Sequence, residues 1–221
     1  MIGPDAGQRL SKSECYKNAL NDWVSGAVKE PNSLVTGSLL FILCCLPVIS
    51  FGPAWLALTY YMGRRGDGVK ASWREALSFS LKRCGLKAWL MGWSDFLAVA
   101  LAFGDLLALW AMELPAPFRY FYGIILFLDG LYMVSGLYRY PALAREPNNR
   151  LSRIIVRGVL LAVGNLGWTA LFFCVQLLLF IICAVTGVGL VFLYPGGLAL
   201  LSHYAYPNMV RALMPGSGGG V

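Results

Sequence analysis

Eleven acidic side chains and one histidine are the acid–base inventory of this 221-residue chain. Three of the carboxylates, Asp95, Asp105 and Asp129, fall inside long apolar runs. An ionisable group at bilayer depth is costly, and where it occurs it marks an ion path, a proton relay or a polar contact between helices. Counted from the turn near 115–116, Asp105 and Asp129 lie about 10 and 13 residues away, within about 5 Å of one height at a helical rise of 1.5 Å. Two carboxylates that close in a low dielectric cannot both ionise, so one pKa would rise. Asp95, Asp105 and Asp129 are therefore read as a candidate polar or ion site in the membrane. The alternative is plain interhelical hydrogen bonding by neutral or partly hydrated Asp.

No other constellation carries chemistry. His203, near Tyr204 and Tyr206, has no carboxylate in sequence reach and reads as an interface residue. The six cysteines (Cys15, Cys44, Cys45, Cys84, Cys174 and Cys183) show no C-x-x-C spacing, and a structural zinc site would need closely spaced ligand pairs. They read as inert thiols that behave as small hydrophobes. There is no H-E-x-x-H, phosphate-binding Gly-rich loop or Ser-His-Asp order. Catalytic residues, metal and cofactor are all expected to be absent, and the chain is not expected to be an enzyme. Trp and Tyr are plentiful (Trp89, Trp93, Trp110, Trp168, Tyr120, Tyr122, Tyr132, Tyr138), and aromatic belts at membrane interfaces account for those near the span ends.

The elements that hold these residues follow from composition. Of the residues, 58% are hydrophobic and 13% charged, and the mean hydropathy is +0.64. Soluble domains carry about 25% charge, so a soluble globule, a disordered chain and a nucleic-acid reader are excluded and a helical membrane protein remains. Five spans are predicted: residues 34–61, 88–112, 118–140, 158–183 and 187–206. The first is too long for one straight crossing of about 20 residues. Pro47, Gly52 and Pro53 interrupt it, because proline removes a helical donor and clashes with the preceding turn. A crossing part at 34–50 and a short helix at 53–63 are expected. If the segment instead turns back at its prolines, its two ends lie on one side. Residues 8–29 have the spacing of an amphipathic interfacial helix. Ser72 with Glu75 is a capping box opening a second amphipathic helix.

The net charge of +7 is segregated. Arg64, Arg65, Lys70, Arg74, Lys82, Arg83 and Lys87 fall in the loop 62–87, and Arg139, Arg145, Arg150, Arg153 and Arg157 in the loop 139–157. That is twelve of the eighteen positive charges. Both loops are thereby expected in the cytoplasm, facing anionic lipid heads. The spans 88–112, 158–183 and 187–206 contain no Lys or Arg that could neutralise an intramembrane Asp.

A weak internal repeat runs through Phe51-Gly52-Pro53-Ala54-Trp55-Leu56-Ala57, Tyr140-Pro141-Ala142-Leu143-Ala144 and Tyr194-Pro195-Gly196-Gly197-Leu198-Ala199. Each is an aromatic residue, then proline, then small residues. The grammar fits either two copies of a helical hairpin, as in transporters with parallel repeats, or ordinary proline punctuation of membrane helices.

The run Leu46-Pro47-Val48-Ile49-Ser50-Phe51-Gly52-Pro53-Ala54-Trp55-Leu56-Ala57-Leu58 resembles the signature of the YesL-like family of bacterial membrane proteins. The likeness continues through Tyr60-Tyr61 and Trp73–Lys87, and returns at Tyr140-Pro141 and Asn165-Leu166-Gly167-Trp168-Thr169. It departs where Val35-Thr36-Gly37 stands in place of an early asparagine and Ser50 in place of a threonine. What the resemblance implies is context: such proteins are often encoded beside carbohydrate ABC importers. It supplies no catalytic residues.

The expectation is an all-α polytopic bundle of about five transmembrane helices, the first broken by prolines, with amphipathic interfacial helices. It comprises a polar segment 1–33, one membrane domain 34–212 and a flexible tail 213–221, in a bacterial inner membrane. The expected role is an accessory or regulatory component of carbohydrate uptake that binds another membrane protein such as an ABC importer. The alternative is a small self-standing transporter, alone or as a homo-oligomer, that uses the intramembrane carboxylates.

Overall fold

The computed structural model describes residues 12–46, 50–111 and 116–213. Pro47, the outer part of the N-terminal segment and the tail beyond residue 213 lie outside the described residues. The described residues are all helical in their regular structure: α1 Lys12–Lys29, α2 Pro31–Cys45, α3 Phe51–Gly66, α4 Trp73–Ala111, α5 Ala116–Arg145, α6 Leu151–Gly164, α7 Leu166–Thr186, α8 Val188–Phe192 and α9 Tyr194–Leu213. Among them, three helices are long and apolar enough to cross a membrane, at 73–110, 120–145 and 166–186.

The first predicted span is two helices, α2 and α3, with the expected break between them. Pro31 opens α2 at a position where its missing N–H costs nothing. Ser50 Oγ donates to the Cys44 carbonyl, and α3 runs back beside α2. Gly37 lies against Leu58, Tyr61 and Met62, and the ends meet where Glu30 faces Arg65 at 3.9 Å. Helices of 15 and 16 residues are about 22–24 Å long, short of a hydrocarbon core of about 30 Å. Three helices, not five, reach crossing length among the described residues, and α2 and α3 are antiparallel neighbours.

The second amphipathic helix is not a separate element. Glu75 N–H donates to Ser72 Oγ at 3.2 Å, and α4 then runs without interruption for 39 residues into the predicted second span. Lys87 links it to the second basic segment: its ammonium donates to the carbonyls of Pro147 at 2.6 Å and Asn149 at 2.9 Å.

The proline grammar marks three different positions. Pro53 lies in the first turn of α3 and Pro195 in that of α9, where no donor is lost. Pro141 lies inside α5, which continues to Arg145. The fourth predicted span splits at Asn165 into α6 and α7, and the fifth at Leu193 into α8 and α9. The hairpin α4–α5 and the run α7–α8–α9 therefore do not share an element order, and the repeat is not carried into the fold.

The packed part of the molecule is a base built around α9, which touches α1, α2, α3, α5, α6, α7 and α8 and is buried along most of its length. Contrary to a helix resting alone on the bilayer, α1 lies along α9. Tyr16 is fully buried, donates to Asn165 Oδ1 and stacks on Trp168 with ring centroids 4.1 Å apart. Trp23 donates to the Gly197 carbonyl at 2.9 Å. Lipid is as apolar as leucine, so close backbone approach rather than hydrophobic burial holds membrane helices together. The contact of α3 with α4 is of that kind: a methyl group at Gly92 would lie 2.6 Å from Gly52 Cα, and one at Gly52 would collide with the Ala88 carbonyl. Ala54, the next small residue of the motif, is buried in a different cluster, with Leu34 and Phe41 of α2.

Candidate intramembrane site

Asp95 has a partner that sequence spacing did not assign to it. Arg139 Nη2 lies 2.8 Å from Asp95 Oδ1, and Tyr140 OH donates to Asp95 Oδ2 at 2.6 Å. The Arg139 side chain is 0% exposed and that of Asp95 14%. The pairing follows from helix geometry. Asp95 lies 16 residues before the end of α4, and Tyr132 lies 16 residues after the start of α5, so the two are level. Side chains in a helix tilt toward its N-terminus. Arg139, two turns beyond Tyr132 on the same face, therefore reaches back to that level. Its guanidinium lies 3.9 Å from the centroid of the Tyr132 ring and donates to the Tyr132 carbonyl at 3.0 Å. Tyr132 OH in turn donates to Ser94 Oγ at 2.7 Å. Gly158 of α6 closes the other side of the arginine stem, where any side chain would strike Arg139 Cγ.

Arg139 was read as one of the orientation charges of the second basic loop; it is instead the cation of a buried ion pair. Its Nε and Nη1 have no hydrogen-bond partner among the described residues. The cation–aromatic contact with Tyr132 compensates part of that loss. Tyr132 and Tyr138, counted with the interfacial aromatics, also serve the interior: Tyr138 OH lies 3.1 Å from Thr169 Oγ1, at the break between α6 and α7.

The expected acidic pair does not form. With α4 ending at Ala111 and α5 starting at Ala116, Asp105 is six residues from the turn and Asp129 thirteen. Seven residues of difference correspond to about 10 Å in height. Each carboxylate is half-buried, and each has one oxygen, Oδ2, shut off from solvent without a hydrogen-bond partner among the described residues. The three candidate carboxylates are thus separate: one is saturated within the chain and two are not.

His203 also acquires a partner from far away in sequence. Its Nε2 lies 3.2 Å from Asp67 Oδ1 across 136 residues, and a methyl group at Gly63 would lie 2.7 Å from its Cε1. The hydrogen bond from His203 holds the Asp67 carboxyl below its ordinary range, against the opposing effect of burial and with help from the charges of His203, Arg145 and Arg64. Beside this pair is an open hollow of about 570 Å³ bordered by Arg64, Arg145 and Glu146. Glu146 accepts from Arg157 at 2.6 Å.

Asp95 and Tyr140 face a larger cavity of about 790 Å³ between α2, α3, α4, α5, α7, α8 and α9. Its walls are aromatic and aliphatic, with few polar groups. Set against protein-family models, curated proteins and solved structures, the chain finds no match.

Proposed function

We propose that this is a multi-pass membrane protein that works by binding another membrane protein. One observation carries the reading. Between Val99 and Val134 no described side chain is fully buried, and this apolar hairpin bears Asp105 and Asp129, each with an orphaned carboxylate oxygen. Lipid satisfies the exposed leucines and phenylalanines but offers nothing to a carboxylate at that depth. A donor from a neighbouring transmembrane helix does. The resemblance to the YesL-like family directs the choice of partner to the membrane subunits of a carbohydrate ABC importer, with this chain as an accessory or regulatory component in a bacterial inner membrane. Both basic segments, joined through Lys87, are assigned to the cytoplasm by the positive-inside rule, and the re-entrant α2–α3 hairpin brings the N-terminal segment to the same side.

The test is a photoreactive amino acid at Leu106 or Phe127, both exposed on the hairpin, introduced in the native host. A single adduct with an importer membrane subunit is expected. Adducts only with lipid overturn the reading. Adducts only with a second copy of the chain favour the other reading, a self-standing oligomeric transporter, which the cavity beside Asp95 supports.

A further inference from the structure

The walls of the 790 Å³ cavity select its ligand. Its volume lies within the range of small-molecule sites, about 300–1,000 Å³. Phe41, Phe51, Trp55, Trp93, Phe96 and Phe173 supply aromatic surface from four helices. The polar groups on the wall are mostly engaged. Both oxygens of Asp95 accept, one from Arg139 and one from Tyr140, and the pair with Arg139 cancels its charge. Ser202 Oγ donates to the Ala199 carbonyl at 2.7 Å. The Gln176 amide and the Tyr194 hydroxyl also line the cavity and make no hydrogen bond among the described residues. Gln176 sits ten residues from either end of α7, a helix that is otherwise almost wholly apolar.

A sugar does not suit these walls. Each of its hydroxyls would leave water, and two free polar groups cannot repay several desolvated ones. A free cation or anion does not suit them either, since the only charge on the wall is already compensated. We propose that the cavity binds a neutral lipophile: a molecule mostly of hydrocarbon or aromatic character, with one or two hydrogen-bonding atoms that meet Gln176 and Tyr194. The source is the surrounding bilayer, either as a dissolved lipophile or as the chain region of a resident lipid. The inference is independent of the partner reading and holds whether the cavity is a passage or a resting place.

The test uses the full chain in phosphatidylcholine nanodiscs, without any partner. Four diazirine-bearing probes are compared: hexadecanol, hexadecane, hexadecylammonium and a phosphatidylcholine. Labelled residues are mapped by peptide mass spectrometry. Hexadecanol is expected to label Phe96, Phe173 and Leu198. The filling variants Val134→Trp and Leu198→Phe should reduce that labelling to the level of lipid-facing positions, while Val185→Trp, on the outer face of α7, leaves it unchanged. Gln176→Leu should lower hexadecanol capture about fivefold, the equivalent of one ordinary hydrogen bond, and leave hexadecane capture unaffected. Labelling of the same residues by the phosphatidylcholine probe as strongly as by hexadecanol assigns the site to a resident lipid chain; its absence assigns a dissolved lipophile. Preferential capture of hexadecylammonium overturns the proposal. So does labelling spread evenly over the outer faces of α4 and α7 that neither filling variant changes.

Discussion

Asp95 and Asp105 lie on the same helix ten residues apart, yet they belong to two regions that solve the problem of a buried charge differently. Asp95 stands at the edge of the packed base, where Arg139 and Tyr140 of α5 occupy both of its oxygens. Asp105 stands on the α4–α5 hairpin beyond that base, with Asp129 about 10 Å away in height, and neither finds a donor for its buried oxygen among the described residues. In the base the polar groups close on one another and the charge is part of the architecture. On the hairpin the chain leaves polar groups open along an apolar surface. The contrast separates a carboxylate satisfied within the fold from two that no described residue satisfies.

The base should break most completely where two backbones touch. Gly92→Leu puts a side chain against Gly52 Cα, which has no flexible end to move aside. Overpacking costs about 1–3 kcal/mol when side chains can adjust, and here they cannot. The expected outcome is loss of the folded monomer, read as disappearance of its peak in size-exclusion chromatography. An unaltered peak would mean that α3 and α4 do not meet at these glycines.

Next in size is the ion pair itself. Asp95→Asn leaves Arg139 buried without a counter-charge, and breaking a buried pair from one side costs about 3–5 kcal/mol. Replacing the whole group, Asp95→Leu with Arg139→Met and Tyr140→Phe, should recover most of that loss, since apolar side chains of similar volume need no compensation. Thermal unfolding of the solubilised protein measures both. A silent Asp95→Asn would erase the distinction between base and hairpin.

On the hairpin the same chemical change should cost little. Asp105→Asn and Asp129→Asn are each expected within about 1 kcal/mol of the native chain, the scale of interhelical hydrogen bonds in membranes. At their separation the two effects should add. What the double variant should lose is the crosslink to a neighbouring membrane protein from Leu106. A double variant that unfolds would assign the hairpin carboxylates to the fold and remove the contrast.

The smallest effect is at the surface of the base. The Asp67 carboxyl is held below its ordinary range by His203, so its contribution is fully present above the unfolded value of about 3.9 and is lost as pH falls through the lower folded value. The side chain is 55% exposed, and solvent screening keeps the stabilisation well under about 1 kcal/mol. The melting-temperature gap between the native chain and Asp67→Asn should therefore be small near neutrality and close as the pH is lowered below about 4. A gap that widens in acid would show that the His203 contact does not favour the ionised carboxylate.

Much of this architecture was legible in the residues. The apolar runs located the long helices α4, α5 and α7, because a helix in lipid must be apolar around its circumference. Ser72 and Glu75 announced the start of α4 through local hydrogen-bonding geometry, and Pro53 marked a helix start, whereas Pro195, read as part of a span end, opens α9. The positive charges gathered into two segments that the structure joins through Lys87. Asp95 could be singled out because its type is improbable in such a run. Arg139 could not be matched to it. One residue inside a predicted span end, it looks like any interfacial arginine, and only the observed lengths of α4 and α5 bring Tyr132 level with Asp95.

The same limit explains the other differences. That α2 and α3 lie side by side depends on the packing of Gly37 against Leu58 and Tyr61, which hydropathy does not encode. His203 and Asp67 are 136 residues apart, and Tyr16 and Asn165 are 149 apart. No local pattern encodes such pairs. The cavity exists only as the space between seven helices, so neither its volume nor the open Gln176 amide on its wall is written in any one segment. Sequence alone determined the solvent this chain prefers, its helices and the rarity of its intramembrane charges, because those depend on each residue's own transfer energy and its near neighbours. Which charges are paired, which helices return and what the interior can hold were decided by tertiary structure, because they depend on distances between residues that the chain order keeps far apart.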